Sequence, residues 1–460
     1  MTPDANDLCV FAVKRGKIEK RIDVSYNHPK YEKVIMALKS KVGLISFGRL
    51  IESISGGATP LRANEEQYCD SGIKFLRIQN ISSNGFDLSD VKYITNDVHC
   101  NLLQRSQLSV GDLLMTITGR IGTSAVVSED ILPANINQHI VRIKLKDGVL
   151  PEFAAAYLNS NIGILLSNRG VTGTTRIALD YESIKSIPFP DIKEESRQKR
   201  LTRILSHGSY VNRENILSAT DVLSGFERTV ASDIGLLSDW SQKLCVAIHN
   251  KDLDGVIDAK RYMSIKKNSD GCLADKCEIL SDKVNVSKLQ RSIVDWIRID
   301  DLPNRPLDIE TMRTLPADEM EGSFFEVKKK DILVARLGPT ILNKKTVMVR
   351  SIKRTTLASA EFLVLRCKEG VNPEAVMAVL KTDYYRDLMY SHSRGSTPSR
   401  YRLNREDALK LPFPDITETQ DQIAKEALHV RDEVKRLREE AAREWADAKA
   451  QFEKELLGEV

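Results

Sequence analysis

The chain has 460 residues, 42% hydrophobic and 29% charged, which is ordinary for a globular protein and enough for two or three domains. A formal net charge of +4 excludes nucleic-acid binding through overall charge, so such a role would need local basic patches. The seven scattered cysteines disfavour a disulfide framework, and neither a membrane-spanning apolar run nor a signal-peptide pattern is present, so we expect a cytoplasmic protein.

Short β-rich runs dominate the first half of the chain. LLMTITG (113–119), SAVVSED (124–130) and HIVRIKL (139–145) combine β-branched and apolar residues over the length of a strand, which predicts three strands. The preceding Gly-Asp at 111–112 predicts a turn that leads into the first of them. Pro151 stands where the first residue of a helix belongs, so FAAAYLNS after it is predicted to be helical.

A proline corner and a long helix follow. Pro188 and Pro190 force extended backbone, and Asp191 is placed to cap the helix after them. From 192 to about 230, apolar residues recur mostly at spacings of three and four, the narrow stripe of a coiled-coil seam. The sequence HGS at 207–209 interrupts this stripe, and we expect the helix to kink there.

The second half repeats the first. IPFPDI begins at residue 187 and LPFPDI at residue 411, 224 residues later. Other blocks recur in the same order at nearly the same offset, which indicates a tandem duplication of a unit of roughly 220 residues. The paired blocks are FLRIQNI (75–81) with WIRIDDL (296–302), VGDLLMTITG (110–119) with KKDILVARLG (329–338), GVLPEFAAAYLNS (148–160) with GVNPEAVMAVLKT (370–382), and, more loosely, RIDVSY (21–26) with VIDAKRY (256–262). In contrast, there is almost no sequence similarity between residues 82–109 and residues 303–328.

A second apolar stripe runs from 416 to about 456, after the second proline corner, with Asp415 placed to cap it. Each long helix could simply pack on its own domain. However, a helix from 192 to 230 would extend about 58 Å at 1.5 Å per residue, more than one small domain covers. The length therefore favours two helices that pair with each other as a spacer.

Motifs for catalysis are missing. The chain has no GxxxxGK[ST], HExxH or GxSxG sequence. The sequence spacing between Cys272 and Cys277 is one that a metal site tolerates. However, structural zinc requires four ligands, and no second Cys/His pair lies nearby in the sequence. We therefore expect no enzyme activity, no metal and no cofactor.

Basic, glycine-containing loops recur in both halves. SNRGVTGTTRIALD (167–180) and SHSRGSTPSRYRLNR (391–405) occupy matching places, and TGRIGTS (118–124) sets an arginine between glycines. Glycine lets backbone N–H groups approach a phosphate, Ser and Thr donate to it, and Arg reaches a phosphate or a guanine edge. The repetition of such loops at equivalent places favours a nucleic-acid partner over ordinary solvated surface.

At these residues the sequence resembles the specificity (S) subunits of type I restriction-modification enzymes. The blocks that carry the resemblance are FLRIQNI, GDLLMTITGRIGTSAVV, ANINQHIVRIKLKDGVLPEFAAAYLNS, GVTGTTRIALDYESIKSIPFPDI and their counterparts in the second half. It covers nearly the whole chain, and the order of the blocks is more specific than any single block. The second copy departs most: ARLGPTILNKKTVMV lacks the Gly-x-x-Gly of the first copy, and ASAEF replaces NINQH.

The resemblance implies an α+β fold: two tandem α/β target-recognition domains joined by two long antiparallel coiled-coil helices, in a pseudo-twofold repeat. We expect target-recognition domain 1 at 1–191, a central spacer helix at 192–232, target-recognition domain 2 at 233–415 and a C-terminal spacer helix at 416–460. It also implies that the domains read two halves of a split site in double-stranded DNA. The helices would set the spacing and dock DNA methyltransferase subunits, with a motor-nuclease subunit joining for restriction.

Side-chain chemistry and motif position together predict the DNA contacts. Arginine pairs with guanine edges, and Asn or Gln with adenine edges. For Asn137 and Gln138, a cap on a turn is the alternative. We expect Arg120, Asn137, Gln138, Thr174 and Arg176 to contact the first half-site, and Arg336, Arg394, Ser396, Arg400 and Arg402 to contact the second.

Other classes of function stay open at this point. The chain could be a non-catalytic DNA-recognition or scaffold subunit of another phage-defence complex, with helices that bind partner proteins. An autonomous methyltransferase or nuclease is disfavoured because the motifs for such chemistry are missing.

Overall fold

The computed structural model describes residues 11–13, 21–60, 67–172, 177–235, 271–289, 292–397 and 400–458. The chain divides into two compact units: Met1–Ile216 with Glu439–Val460, and Leu217–Arg438. Each of the two long helices contributes one segment to the first unit and one to the second.

The first unit contains two four-stranded sheets. An antiparallel sheet has the strand order β2-β11-β8-β9, and a mixed sheet has the order β10-β4-β7-β3, with β10 and β4 parallel. The three strands expected from LLMTITG, SAVVSED and HIVRIKL are confirmed as β8, β9 and β11. The strands are β1 (Leu44–Ser46), β2 (Ile51–Gly56), β3 (Tyr68–Cys69), β4 (Ile73–Leu76), β5 (Ile81–Ser82), β6 (Gly85–Phe86), β7 (Lys92–Ile94), β8 (Leu113–Thr116), β9 (Ser124–Val126), β10 (Ala134–Ile136), β11 (Ile140–Leu145) and β12 (Pro188–Pro190).

In the described part of the first unit, four α-helices accompany these strands before the first long helix begins. Pro151 is the first residue of its helix, as expected. The helices are α1 (Pro29–Lys41), α2 (Pro151–Asn159), α3 (Asn161–Arg169), α4 (Tyr181–Ser186) and the long α5 (Glu195–Asp233).

The second unit repeats the antiparallel sheet strand for strand, and its mixed sheet repeats the parallel pair. Its antiparallel sheet has the order β13-β20-β17-β18, and its mixed sheet has the order β15-β14-β19-β16, with β14 and β19 parallel. The tandem duplication expected from the sequence is confirmed. The elements are α6 (Leu273–Lys276), β13 (Cys277–Ile279), β14 (Ile293–Ile297), β15 (Arg313–Pro316), β16 (Phe324–Glu326), β17 (Ile332–Ala335), α7 (Gly338–Leu342), β18 (Thr346–Met348), β19 (Thr356–Ser359), β20 (Phe362–Cys367), α8 (Pro373–Leu380), α9 (Asp383–Ser391), α10 (Arg405–Leu409) and the long α11 (Gln420–Leu457).

The antiparallel sheet is the middle layer of each unit. In the first unit, Met115 and Val141 face a core shared with the helices, while Leu114 and Ile140 face a second core shared with the mixed sheet. A strand that is buried on both faces needs apolar residues at successive positions, which explains the continuous LLM run. The second unit has the same two cores, one on either face of its antiparallel sheet.

A buried tyrosine holds each proline corner. The hydroxyl of Tyr157 donates to the carbonyl of Pro188 at 2.7 Å, and that of Tyr385 donates to the carbonyl of Pro412 at 2.6 Å. Burial raises the pKa of both phenols, so each stays a neutral donor. Tyr157 lies on α2 and Tyr385 on α9, so the two copies reach the same contact from different helices.

A glutamine near the start of each long helix ties it to the turn before α2 or α8. Gln198 accepts from the Leu150 amide at 2.8 Å and donates to the Gly148 carbonyl at 2.9 Å. In the second unit, Gln420 accepts from the Asn372 amide at 2.8 Å and donates to the Gly370 carbonyl at 3.1 Å. The duplication thus extends to single side-chain contacts.

The expected pairing of the two long helices is confirmed within each unit. In the first unit, Asn212 on α5 donates to the carbonyl of Ala441 on α11 at 2.6 Å, and Arg200 pairs with Glu455 at 2.6 Å. In the second unit, Ala219 and Leu223 of α5 share a core with Val434 of α11. Residue numbers rise along α5 as those of their partners fall along α11, so the helices are antiparallel.

Asp191 and Asp415 do not cap the long helices, and that expectation is wrong. The helices begin at Glu195 and Gln420, because the backbone stays non-helical for about one more turn after each corner. Asp191 instead pairs with Lys193 at 2.7 Å. Asp415 accepts from the amide of Thr417 at 3.1 Å and caps a local turn.

Residues 207–209 are helical, and Gly208 marks a close approach between the long helices. A Cβ atom built on Gly208 would lie 2.2 Å from the Cβ of Ala448, whereas one on Gly225 of the same helix would meet nothing within 4 Å. Glycine is therefore required at 208 for packing.

We expect Gly208→Ala to lower the free energy of unfolding by about 1–2 kcal/mol through overpacking. The matched change Gly225→Ala should raise it by about 0.5–1 kcal/mol, because alanine favours the helix. Urea unfolding of both variants checks the prediction. Equal effects of the two changes would show that the helices do not approach each other at Gly208.

Candidate nucleic-acid interface

A tight turn between β8 and β9 carries Arg120. Gly119 and Gly122 have φ angles of +67° and +83°, in the left-handed region where other residues are strained. Arg120 is exposed, and its Nη2 donates to the carbonyls of Ile78 at 3.4 Å and Ile81 at 3.1 Å. The turn thus places a cationic side chain at the surface and holds it by one terminal nitrogen.

Asn137 and Gln138 lie in the turn between β10 and β11. Asn137 is 8% exposed, and its side-chain oxygen accepts from the amide of His139 at 3.1 Å. Asn137 therefore caps a turn, which is the alternative to DNA contact that the sequence left open. Gln138 is exposed, and its amide contacts Oγ1 of Thr59 and Nε2 of His139, the latter at 3.2 Å. Of the two predicted residues, Gln138 is the one whose side chain lies at the surface.

Sequence reasoning missed a hydrogen-bonded row that includes Gln138. The row runs from Thr59 through Gln138 and His139 to Thr118, whose Oγ1 lies 3.1 Å from Nδ1 of His139. The amide nitrogen of Gln138 can only donate, so Nε2 of His139 accepts and Nδ1 carries the proton. The hydroxyl of Thr118 then accepts from the ring and keeps its own proton for another acceptor. These residues come from three separate segments, and only the fold brings them together.

The first basic loop leaves the body of the unit as a short two-stranded stem, defined as residues 170–172 and 177–179. Thr172 and Ala178 exchange backbone hydrogen bonds of 3.0 and 2.9 Å. Leu179 donates to the carbonyl of Ile117 at 2.9 Å, and Ile117 donates to the carbonyl of His139 at 3.0 Å. The structure therefore places the stem, the Arg120 turn and the 137–139 turn side by side. Thr174 and Arg176 lie outside the described residues.

The second unit builds the same arrangement. Its stem, residues 392–394 and 401–403, is joined by backbone hydrogen bonds of 3.0 and 2.9 Å between Arg394 and Arg402. Leu403 donates to the carbonyl of Arg336 at 2.9 Å, and Arg336 donates to that of Glu361 at 3.1 Å. The same two backbone hydrogen bonds therefore occur in both units. Arg336 corresponds to Ile117, Glu361 to His139 and Leu403 to Leu179. All five predicted residues of the second half-site lie on or beside this stem.

Carboxylates from other segments lie next to the arginines of the second stem. Arg402 pairs with Glu361 at 2.8 Å, and Arg394 lies 3.4 Å from Asp407. The segment 391–405 contains no acid, so the sequence suggested a purely basic loop. Arg336 is half-buried, and its Nε has no hydrogen-bond partner among the described residues. Ser396 and Arg400 are exposed.

Part of the basic segment 325–354 faces inward rather than towards solvent. Lys344 is buried with Glu227, and Arg350 pairs with Asp308 at 2.6 Å and also with Glu374. These cations hold the second unit together. Other cations of the segment, among them Lys328, Lys329 and Lys330, are exposed.

Within the described ranges, no group of three or more His, Cys, Asp or Glu residues could hold a metal ion. Cys277 faces Cys367 of the neighbouring strand, with the sulfur atoms 3.4 Å apart. In that same part of the chain, no helix is both long enough and apolar enough to cross a membrane.

Comparison with known proteins matches residues 46–215 to the family model described as Type I restriction modification DNA specificity domain. A curated protein, the Type I restriction enzyme EcoBI specificity subunit of Escherichia coli, is 24% identical over 147 residues, or 31% of each chain. The matched part thus spans about a third of that relative.

Solved structures of similar proteins include the S subunit of a Type-I restriction-modification system from M. genitalium. It is 11% identical with a TM-score of 0.36, and the match covers 90% of this chain and 95% of that one. The HsdS subunit from Thermoanaerobacter tengcongensis is 14% identical with a TM-score of 0.32, and the match covers 91% of this chain and 97% of that one.

The family match includes the Arg120 turn, the 137–139 turn and the whole first stem. Residues 46–215 therefore match a Type I restriction modification DNA specificity domain, and the chain is similar to type I restriction enzyme specificity subunits.

Proposed function

We propose that the chain is the DNA sequence-specificity subunit of a type I restriction-modification complex and that it binds a bipartite target in double-stranded DNA. Each unit supplies one reading surface, built from the turn after its β8 or β17, the neighbouring turn and the stem. The observation that carries the proposal is the recurrence, in the second unit, of the surface that the family model covers in the first.

The side chains on the two surfaces suit DNA and differ between the copies. Gln138 and Thr118 of the first offer amide and hydroxyl groups beside the guanidinium of Arg120, while Arg394, Arg400 and Arg402 of the second offer guanidinium groups. Such groups discriminate base edges in the major groove by about 1–3 kcal/mol per bidentate contact. Because the chemistry differs, the two surfaces would select different half-site sequences.

The proposal gives the chain no catalytic step. DNA methyltransferase subunits would dock on the paired long helices and carry out modification, and a motor-nuclease subunit would join for restriction. The distance between the two half-sites, which the helices would set, stays a prediction. So do the individual DNA contacts, including those of Thr174 and Arg176.

Replacing Arg400 with Ala should weaken binding of the complex to its target DNA by about 5-fold to 150-fold, the equivalent of 1–3 kcal/mol. Arg400 is chosen because it is exposed on the second stem. Gel-shift titration of the full chain with its methyltransferase subunits measures the effect.

The control is Lys39→Ala, which removes one exposed charge from α1 and should leave the affinity unchanged. Affinity of the wild type should also fall steeply as salt is raised from 50 to 200 mM, because phosphate contacts release counterions. A wild-type complex with no preference for any DNA sequence would contradict the proposal and favour a scaffold role.

A further inference from the structure

The N-terminal segment 21–26 lies against the first stem. Arg21 donates from Nη1 to the carbonyl of Gly170 and from Nη2 to that of Val171, both at 3.1 Å. In return, Arg169 donates from Nε to the carbonyl of Tyr26 at 3.1 Å. Three hydrogen bonds therefore join this segment to the chain at the beginning of the stem, nearly 150 residues away in sequence.

Two guanidinium groups lie close to the ring of Tyr26. The guanidinium carbon of Arg169 lies 4.2 Å from the ring centroid, and that of Arg21 lies 5.0 Å from it. Both distances fall within the range of cation–π attraction. Asp23 pairs with Arg21 at 2.7 Å and accepts from the amide of Tyr26 at 2.8 Å, so the segment is braced internally.

The contacts converge on one carbonyl group. The Gly170 oxygen accepts from Arg21 and also from the hydroxyl of Ser183 on α4, at 2.9 Å. A Cβ atom on Gly170 would lie 2.8 Å from the Cβ of Ser183, so the backbone here is packed closely against α4. The first strand of the stem is thereby held from two sides, while Leu179 fixes the second strand to the sheet.

The second stem has ion pairs with carboxylates from other segments. Ser391 is the last residue of α9, the position that Arg169 occupies in α3. In the second stem, Arg402 pairs with Glu361, and Arg394 pairs with Asp407. The segment 256–262, which matches 21–26 in the sequence, lies outside the described residues.

We propose that segment 21–26 is a clamp that positions the first stem for DNA recognition, with Arg21 and Tyr26 as positioning residues. This inference rests on the proposed function. The clamp would fix the direction in which the loop between the two strands of the stem leaves the unit. It would therefore affect selection of the first half-site without touching DNA.

The test compares Tyr26→Ala with Tyr26→Phe in the full chain. Alanine removes the ring that both guanidinium groups approach, whereas phenylalanine keeps it. Hydrogen exchange at the amides of Thr172 and Ala178, measured without DNA, should accelerate about tenfold in Tyr26→Ala and stay at the wild-type rate in Tyr26→Phe. Val24→Ala, which trims a side chain 67% exposed in the same segment, is the matched control and should behave as wild type.

The second readout is the methylated motif in cells that carry each variant with its methyltransferase partner. Tyr26→Ala should relax the sequence of the first half-site and leave the second half-site unchanged. Unchanged exchange in Tyr26→Ala would overturn the clamp, and faster exchange with an unchanged motif would overturn its positioning role. A wild-type chain that directs no methylation would instead contradict the proposed function, while the exchange rates would still decide whether the clamp holds the stem.

Discussion

Replacing Glu227 with Gln should lower the free energy of unfolding of the second unit by about 3 kcal/mol. Glu227 is 4% exposed on α5 and pairs with Lys344, also buried, and with Arg305 at 2.7 Å. Without the carboxylate, Lys344 retains its ion pair with Asp383, at 2.9 Å, and the side chain of Asp383 is 62% exposed. A buried ammonium group then loses its principal counter-charge.

The backbone adds to the expected loss. Arg305 and Lys344 both have φ of +48°, a conformation that side chains other than glycine rarely adopt. The ion pairs that both residues form with Glu227 compensate for that backbone strain. The control is Asp221→Asn, which changes an exposed carboxylate on the same helix and should alter stability by less than about 0.5 kcal/mol. Urea unfolding distinguishes the two, and a loss below about 1 kcal/mol for Glu227→Gln would refute the role given to this ion cluster.

Lys381 should make the second unit more stable at alkaline pH. Its side chain is buried and donates to the carbonyl of Pro306, and burial lowers its pKa from 10.5 to about 8. Below pH 8, both folded and unfolded chains carry the proton, so the cost of burying the charge is fully present. Between pH 8 and 10.5 the folded chain loses the proton first, and stability rises with pH.

The comparison with Lys381→Met isolates this effect. From pH 7 to pH 9.5, the wild type should gain about 2 kcal/mol in unfolding free energy relative to the variant. Lys368→Met, which removes an exposed lysine of the same unit, should keep the wild-type dependence. Denaturant titrations at several pH values provide the measurement. A constant difference between wild type and Lys381→Met would mean that Lys381 does not titrate in this range.

The sequence predicted the architecture because the signals for it are local. Runs of apolar and β-branched residues marked β8 and β17, prolines marked α2 and α8, and periodic apolar residues marked α5 and α11. Because the unit is duplicated, each repeated element could be predicted twice, from two different stretches of sequence. Helix starts were less accurate, since Asp191 and Asp415 satisfied nearby groups instead of the helix.

The candidate interface was predictable only in part. The loop chemistry pointed to Arg120 and Arg400, and both are exposed. Glu361 and Asp407, which pair with the second stem, come from segments that no motif linked to it. The row from Thr59 to Thr118 likewise requires three segments to meet, and its members are unremarkable residues in the sequence. Long-range contacts of this kind follow from the fold.

The most direct test of the central claim, that each unit reads its own half of one DNA site, is methylome sequencing of a host that carries the system. Arg176→Ala should alter only one half of the methylated motif, and Arg400→Ala should alter only the other. A motif that changes in the same half for both variants, or in neither half for either, would contradict the account.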